Sequence, residues 1–251
     1  MLCETDREVF LNAVERVKAQ PLLEASIGTY NEKTIHRVLK YFFETDEAYH
    51  EVKLGDFVAD VKCDNRIFEI QTAGFHAIKN RLDFFLQSNE VTVVYPVIGR
   101  KYLVWIDPET GDGTLPKLIN KKGKAVSVLP ELYRLGELFN SPYLTVKCII
   151  LEVTEYRLRD GWGRGGKRGA HRIDCIPSDI LDIETVCGTD DLRRLIPFGK
   201  SEEFSAKEFA RACGFSHKST RVISMSLKFL KQSGVIESCS KAGNAVIYRL
   251  T

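Results

Sequence analysis

From His50 to Thr72 the chain alternates with a period of two. His50–Leu54, Asp56–Lys62 and Arg66–Thr72 place apolar side chains on alternate residues, and only Gly55 and Asp64-Asn65 interrupt them. Successive side chains of a strand face opposite sides, so this pattern reads as three consecutive strands joined by tight turns. Helical spacing lies on both sides of it. Residues 4–20 repeat Val9, Leu11, Val14 and Val17, residues 30–44 put Ile35, Val38, Leu39 and Phe42 on one face, and 76–88 returns to helix. Further on, Val91–Val97 and Lys101–Ile106 read as apolar strands joined at Ile98-Gly99-Arg100. Pro130–Phe139 reads as a helix and Leu144–Val153 as a buried strand. Trp105 and Phe84-Phe85 read as core. Asp107–Asp112 reads as a hairpin turn, because it lacks the spacing of a calcium loop. Strands and helices mixed in this way predict an α/β fold: a mixed β-sheet flanked by helices.

Composition narrows the class. With 251 residues, 44% hydrophobic, and a formal charge of +2, the chain is neither disordered nor a disulfide scaffold. Its seven cysteines are irregularly spaced and contain no Cys-x-x-Cys, which argues for scattered thiols rather than a zinc site. No apolar run approaches the roughly 18–20 residues that span a bilayer. The start, MLCETDREVF, is acidic where a signal peptide would be basic then apolar. The expectation is a soluble, cytoplasmic protein with no membrane partner. The length allows an N-terminal helix (1–23), an α/β domain (24–176), a helical linker (177–199) with short helices at Pro177–Cys187 and Asp190–Leu195, and a second domain (200–251).

Charge is uneven. Leu195–Thr251 holds nine Lys/Arg against four Asp/Glu, so it carries +5 while the remainder carries −3. Tyr156–Arg172 holds six Lys/Arg, one acid and five glycines, which reads as a flexible loop. Arg157, Arg159, Arg164, Lys167, Arg168 and Arg172 there suit phosphates, since arginine grips them bidentately and glycine lets the backbone approach. In the C-terminal segment Ser205-Ala-Lys-Glu208 is a capping box opening a short helix. Gly214-Phe215-Ser216 is a turn, Ser219–Gln232 the next helix, and Val235–Cys239 with Ala245–Leu250 a hairpin around Lys241–Asn244. Helix, turn, helix, hairpin resembles the winged-helix order over Phe204–Thr251. That resemblance places His217, Lys218, Ser219, Thr220, Arg221 and Ser224 at the start of a recognition helix, and Lys241 and Asn244 on the wing. DNA is the implied partner.

The main chemical signal is D-V-K-C-D-N-R-I-F-E-I-Q, running from Asp60 to Gln71. A hairpin between two strands lets Asp60 and Glu69 converge. Two carboxylates and the Ile70 carbonyl make an oxygen-rich set of the kind Mg²⁺ prefers, and such a metal can activate water toward a phosphate. At these residues the chain resembles the PD-(D/E)XK nuclease superfamily over about Thr29–Thr154. That family sets a helix before a β-meander, then Asp, a hairpin, Glu-x-Lys, a helix and further strands. The resemblance implies a restriction-endonuclease-like fold in which Asp60 and Glu69 ligate Mg²⁺ (or Mn²⁺), Glu32 of the first helix supports them, and Gln71 positions water. Two departures stand out: Ala59 replaces the motif's Pro, and Gln71 replaces its Lys. Gln71 supplies no positive charge to a transition state. Lys79 is the candidate for a lysine moved to the following helix, with Arg81 second.

Each residue also has a plainer role. Glu32 can complete a capping box with Thr29, Asp60 can enter a turn, Lys79 can be a solvated helix lysine, and His36 and His50 lack an evident Ser or Cys partner. The leading expectation is a metal-dependent DNA endonuclease with a winged helix for DNA, and the resemblance also allows a homodimer. The alternative is a non-catalytic DNA-binding regulator with a degenerate nuclease-like domain. A third is a domain that binds a small molecule or protein and carries a regulatory winged helix.

Overall fold

Helical and strand periods fold where the alternation places them. The computed structural model describes residues 2–20, 30–119, 123–159, 170–216 and 218–251, with side chains in the second helix from Thr34 onward. Helix α1 (Glu4–Ala19) and α2 (Tyr30–Phe43) precede strands β1 (His50–Leu54), β2 (Phe57–Cys63) and β3 (Arg66–Ile70). Then come α3 (Lys79–Leu86), β4 (Glu90–Ile106), β5 (Lys117–Ile119), α4 (Leu129–Leu135), β6 (Leu144–Leu158) and β7 (His171–Val186). The sheet order is β1-β2-β3-β4-β6-β7, with β5 paired to β4. β1 and β2 are antiparallel, His50 opposite Val61, whereas β3 and β4 are parallel, Glu69 opposite Val93. Parallel neighbours need a crossover, and α3 supplies it. The result is an α/β fold with a large mixed sheet flanked by helices. The turn residues act as their chemistry requires: Gly55 and Asp64 both take positive φ.

Two compact units divide the chain. The first comprises Met1–Asp64, Ile98–Lys122 and Ile149–Ile183. Its core takes Phe10, Val14 and Val17 from α1, Val38 and Leu39 from α2, Ala59 and Val61 from β2, and Ile149, Leu151 and Val153 from β6. Phe10 meets Phe42 edge-on, ring centroids 5.7 Å apart. The second comprises Asn65–Val97, Gly123–Cys148 and Glu184–Thr251. It includes α5 (Thr189–Leu195), β8 (Phe204–Ser205), α6 (Ala206–Cys213), α7 (Thr220–Gln232), β9 (Ile236–Ala242) and β10 (Ala245–Leu250). Residues 200–251 therefore share a unit with β3, α3 and α4 instead of forming one alone. α7 packs on α4, Phe139 meets Phe229 edge-on at 5.2 Å, and Lys124 Nζ donates to the Ala212 carbonyl.

Four sequence expectations change. The joint at Ile98-Gly99-Arg100 is not a turn, because β4 runs through it for 17 residues. A Cβ on Gly99 would lie 2.5 Å from Ile150 Cγ2, so this glycine serves close strand approach. The helix expected at Pro177–Cys187 is the second half of β7. Pro177, Ile180, Ile183 and Val186 are buried at helical spacing, which misled the periodicity. Pairing with β6 decided the outcome, and the edge position of β7 tolerates Pro177. Of the basic loop expected over 156–172, Tyr156–Leu158 belong to β6 and His171-Arg172 to β7, and residues 160–169 lie outside the described residues. Phe84, expected in the core, is 40% exposed, while Phe85 is buried.

Candidate functional site

Asp60 lies in the first unit, in the middle of β2. Its neighbours Ala59 and Val61 are fully buried, so alternation turns Asp60 to the other face. There its Oδ2 meets His36 Nε2 of α2 at 3.1 Å. One turn along the same helix face, Lys40 Nζ donates to Glu51 Oε1 at 2.8 Å. The Lys40 hydrogen bond and charge hold the Glu51 carboxyl below its ordinary range, with Asp60 acting the other way. Glu51 has φ 53, a left-handed conformation that costs a non-glycine residue about 1–3 kcal/mol. His36 reads as plain from sequence because its partner here is Asp60 rather than a Ser or Cys, and Lys40 and Glu51 escape because an ordinary helix lysine and strand glutamate signal nothing by themselves. Glu32 lies in the first turn of α2, with its side chain outside the described residues.

Glu69 lies in the second unit and is fully buried in β3. Arg81 Nη2 of α3 stands 2.5 Å from Glu69 Oε2. The cation that α3 delivers is thus Arg81 and not Lys79, which is exposed and whose ammonium lies beside Gly136. Ile70 is buried opposite Val94. The Gln71 amide donates to the Ala73 carbonyl at 2.5 Å. A carboxylate that the sequence did not single out lies close by in the chain's packing. Glu131 of α4 is buried, and its Oε2 accepts the Gly74 and Phe75 amides at 3.0 Å each.

Magnesium prefers oxygen donors and retains several waters. Glu69 is sealed from solvent and neutralised by Arg81, Asp60 is engaged by His36, and Gln71 is tied to Ala73. These donors do not fit Mg²⁺ or Mn²⁺. Among the described residues no three His, Cys, Asp or Glu side chains are grouped to hold a metal ion.

A second polar cluster belongs to the first unit. Glu155 of β6 is buried, yet three cations reach it: Lys101 at 2.9 Å, Arg157 at 2.6 Å and Arg172 at 3.4 Å. Burial raises the Glu155 carboxyl, but the hydrogen bonds from Lys101 and Arg157 outweigh it and leave the pKa lowered. Beside it Asp174 of β7 accepts from Thr34 Oγ1 at 3.1 Å, and burial pushes its pKa up. The Arg157 and Arg159 guanidinium carbons lie 6.0 and 5.6 Å from the ring centroid of Trp105. Trp105, expected in the core, is therefore a half-buried residue at its margin. Arg164, Lys167 and Arg168 lie outside the described residues.

In the second unit, Ser205 and Glu208 form the capping box read from sequence, and Gly214 takes φ 78 at the turn. β8, β10 and β9 form a three-stranded antiparallel sheet in that order. Thr220, Arg221, Ser224 and Lys228 are exposed along α7, Lys218 is exposed just before it, Ser219 is half-buried, and Lys241 and Asn244 are exposed at the hairpin tip. His217 lies outside the described residues. Lys207, Arg211, Lys228 and Lys231 rim a groove of about 1230 Å³ between α6, α7 and the hairpin, floored by Leu227 and Tyr248 among others. Burial pushes the Cys213 thiol up to about 12; all seven cysteines are free, with Cys3 and Cys187 exposed.

The fold defines an α/β protein with a mixed sheet flanked by helices. Among the described residues, no helix is long and apolar enough to cross a membrane. The chain belongs to a family described as a domain of unknown function, DUF8091, which matches residues 33–187. That span holds all of the large sheet. The chain is also similar to an uncharacterized protein of Treponema pallidum (strain Nichols), 25% identical over 225 residues, covering 89% of this chain and 87% of that one. The shared length exceeds the family span by more than residues 1–32 can supply, so the likeness extends into the segment after residue 187. No solved structure matches the chain.

Proposed function

We propose that the chain is a DNA-binding protein in which an endonuclease-like sheet serves as scaffold for a winged helix, and not a metal-dependent hydrolase. The order α2-β1-β2-β3-α3-β4, with β3 parallel to β4, supports the PD-(D/E)XK likeness. The order β8-α6-α7-β9-β10 supports the winged-helix likeness. The observation that carries the reading is α7 itself. Its exposed face bears Thr220, Arg221, Ser224 and Lys228, its sequence contains no acid, and Lys241 and Asn244 stand at the adjoining hairpin tip. Cations gain affinity by releasing counterions from phosphate, and hydroxyls and arginines at the start of a helix reach base edges. The sealed Glu69–Arg81 pair is what favours a scaffold over a metal centre.

Fluorescence anisotropy with labelled duplex DNA tests this. Arg221→Ala and Lys228→Ala each weaken binding and lower the salt slope by about 1. Supercoiled plasmid stays intact with Mg²⁺ or Mn²⁺. Metal-dependent nicking lost in Asp60→Asn would replace this reading with the hydrolase.

A further inference from the structure

We propose that the face formed by the ends of β4, β6 and β7 binds single-stranded nucleic acid, with Trp105 as a stacking platform and Arg157, Arg159 and Arg172 as phosphate contacts. This rests on the nucleic-acid reading above and assigns a strand state to a second surface. β4, β6 and β7 are adjacent in the sheet. The Arg159 amide donates to the Ile106 carbonyl at 3.0 Å, which holds the end of β6 against the end of β4. Side chains two apart on a strand share a face, so Glu155 and Arg157 line up on one side, and the guanidinium groups of Arg157 and of Arg159, just past the strand's end, both lie near the Trp105 ring.

The charge balance points outward. Three cations converge on Glu155, where one would neutralise it. Glu155 is only 3% exposed, so it fixes the guanidinium groups from beneath without confronting an approaching phosphate. Arg157 and Arg172 are 37% and 40% exposed, and Arg159 is exposed. Of the two other acids here, Asp174 is buried and occupied by Thr34, and Asp107, just past the end of β4, offsets part of the Arg159 charge; Lys101, Arg157, Arg159 and Arg172 still outnumber the three acids. Excess positive charge therefore surrounds a half-buried aromatic ring. A cationic surface that tracks the backbone and an aromatic platform for bases are the two parts of single-strand binding. In a duplex the base faces are already stacked and unavailable to Trp105. Arginine planes also stack on splayed bases.

The experiment compares labelled oligothymidylate and oligouridylate of about 20 nucleotides, longer than the roughly 4–16 one fold covers, with a duplex. Full-length Trp105→Ala weakens oligothymidylate binding about 5- to 150-fold and leaves duplex binding unchanged. Trp105→Phe retains most of the single-strand affinity, and Arg157→Ala with Arg159→Ala reduces it and its salt dependence. Thermal melting confirms that the variants fold. Similar affinity for both oligonucleotides fits stacking on bases irrespective of sugar. The inference is overturned if these variants bind oligothymidylate like wild type, or if only Arg221→Ala weakens it. Single-strand binding that needs Trp105, with no duplex binding at all, would sustain this inference and defeat the winged-helix reading. Failure of wild type to bind either probe would defeat both.

Discussion

Glu69 and Glu155 are both carboxylates buried in strands, and they are compensated in opposite ways. Glu69 meets Arg81 and is fully buried. Glu155 is nearly as buried but gathers Lys101, Arg157 and Arg172, two of them well exposed. The first arrangement balances its charge inside the protein. The second leaves positive charge directed at solvent. A buried ion pair is weak evidence of net stability, because desolvation offsets the attraction. The exposure of its cations is nevertheless informative. A cation turned inward onto a sealed acid is architecture, while exposed cations gathered on a buried acid are a device for holding positive charge in place for something else.

The largest expected effect comes from breaking the balanced pair. Arg81→Ala strands a buried charge and destabilises by about 3–5 kcal/mol, read as a shift in the denaturant midpoint. Glu69→Leu combined with Arg81→Met restores most of the loss, because both charges go together. A loss near the roughly 0.2–1 kcal/mol of an exposed pair would erase the contrast. Glu155→Gln comes next. It leaves three cations with one amide oxygen in place of their shared carboxylate and costs about 1–3 kcal/mol. Added sulfate or phosphate recovers part of that stability, since an anion can take the carboxylate's place, and it does nothing for Arg81→Ala. Wild type and Glu155→Gln converge on acidification. Glu155 has a folded pKa below its unfolded value of about 4.3. Its stabilisation is thus complete above the unfolded value and lost as pH falls through the folded one. The stability gap between wild type and Glu155→Gln closes there. A gap unchanged at low pH would mean that the carboxylate's charge contributes little.

How far these features could be read in the sequence depends on whether their cause is local. The three period-two strands, the crossover helix after them, the Asp107–Asp112 hairpin turn and the Ser205–Glu208 capping box all follow from residues a few positions apart. The carboxylate at Glu69 was conspicuous because it interrupts an apolar strand. Its partner was not, since Lys79 and Arg81 both lie in the first turn of α3 and only packing orients Arg81 inward. Gly99 looked like punctuation because glycine in a strand has two meanings, and Ile150 and Leu181, which decide between them, are distant in sequence. Pro177–Val186 failed for a similar reason: burial at every third residue imitates a helix. Trp105 looked like core because nothing within its own strand announces Arg157 and Arg159 more than fifty residues later.

The smallest expected effect concerns Asp174, the acid beside the Glu155 cluster. Burial raises its folded pKa above the unfolded value of about 3.9, despite hydrogen bonds from the Cys175 amide and Thr34. Its linkage therefore has the opposite sign to that of Glu155. Above both values the folded state bears the cost of a buried charge, and stability from this group rises as pH falls through the folded pKa. Asp174→Asn keeps an oxygen for Thr34 and carries no charge. At neutral pH it is expected to match or exceed wild-type stability, by less than about 1 kcal/mol. That advantage shrinks as wild-type Asp174 takes up its proton on acidification. The reverse result, a variant less stable at neutral pH than wild type, would mean that Arg172 needs the Asp174 charge. The cluster would then be nearer to balance than the Glu155 geometry indicates, with less positive charge left for a phosphate backbone.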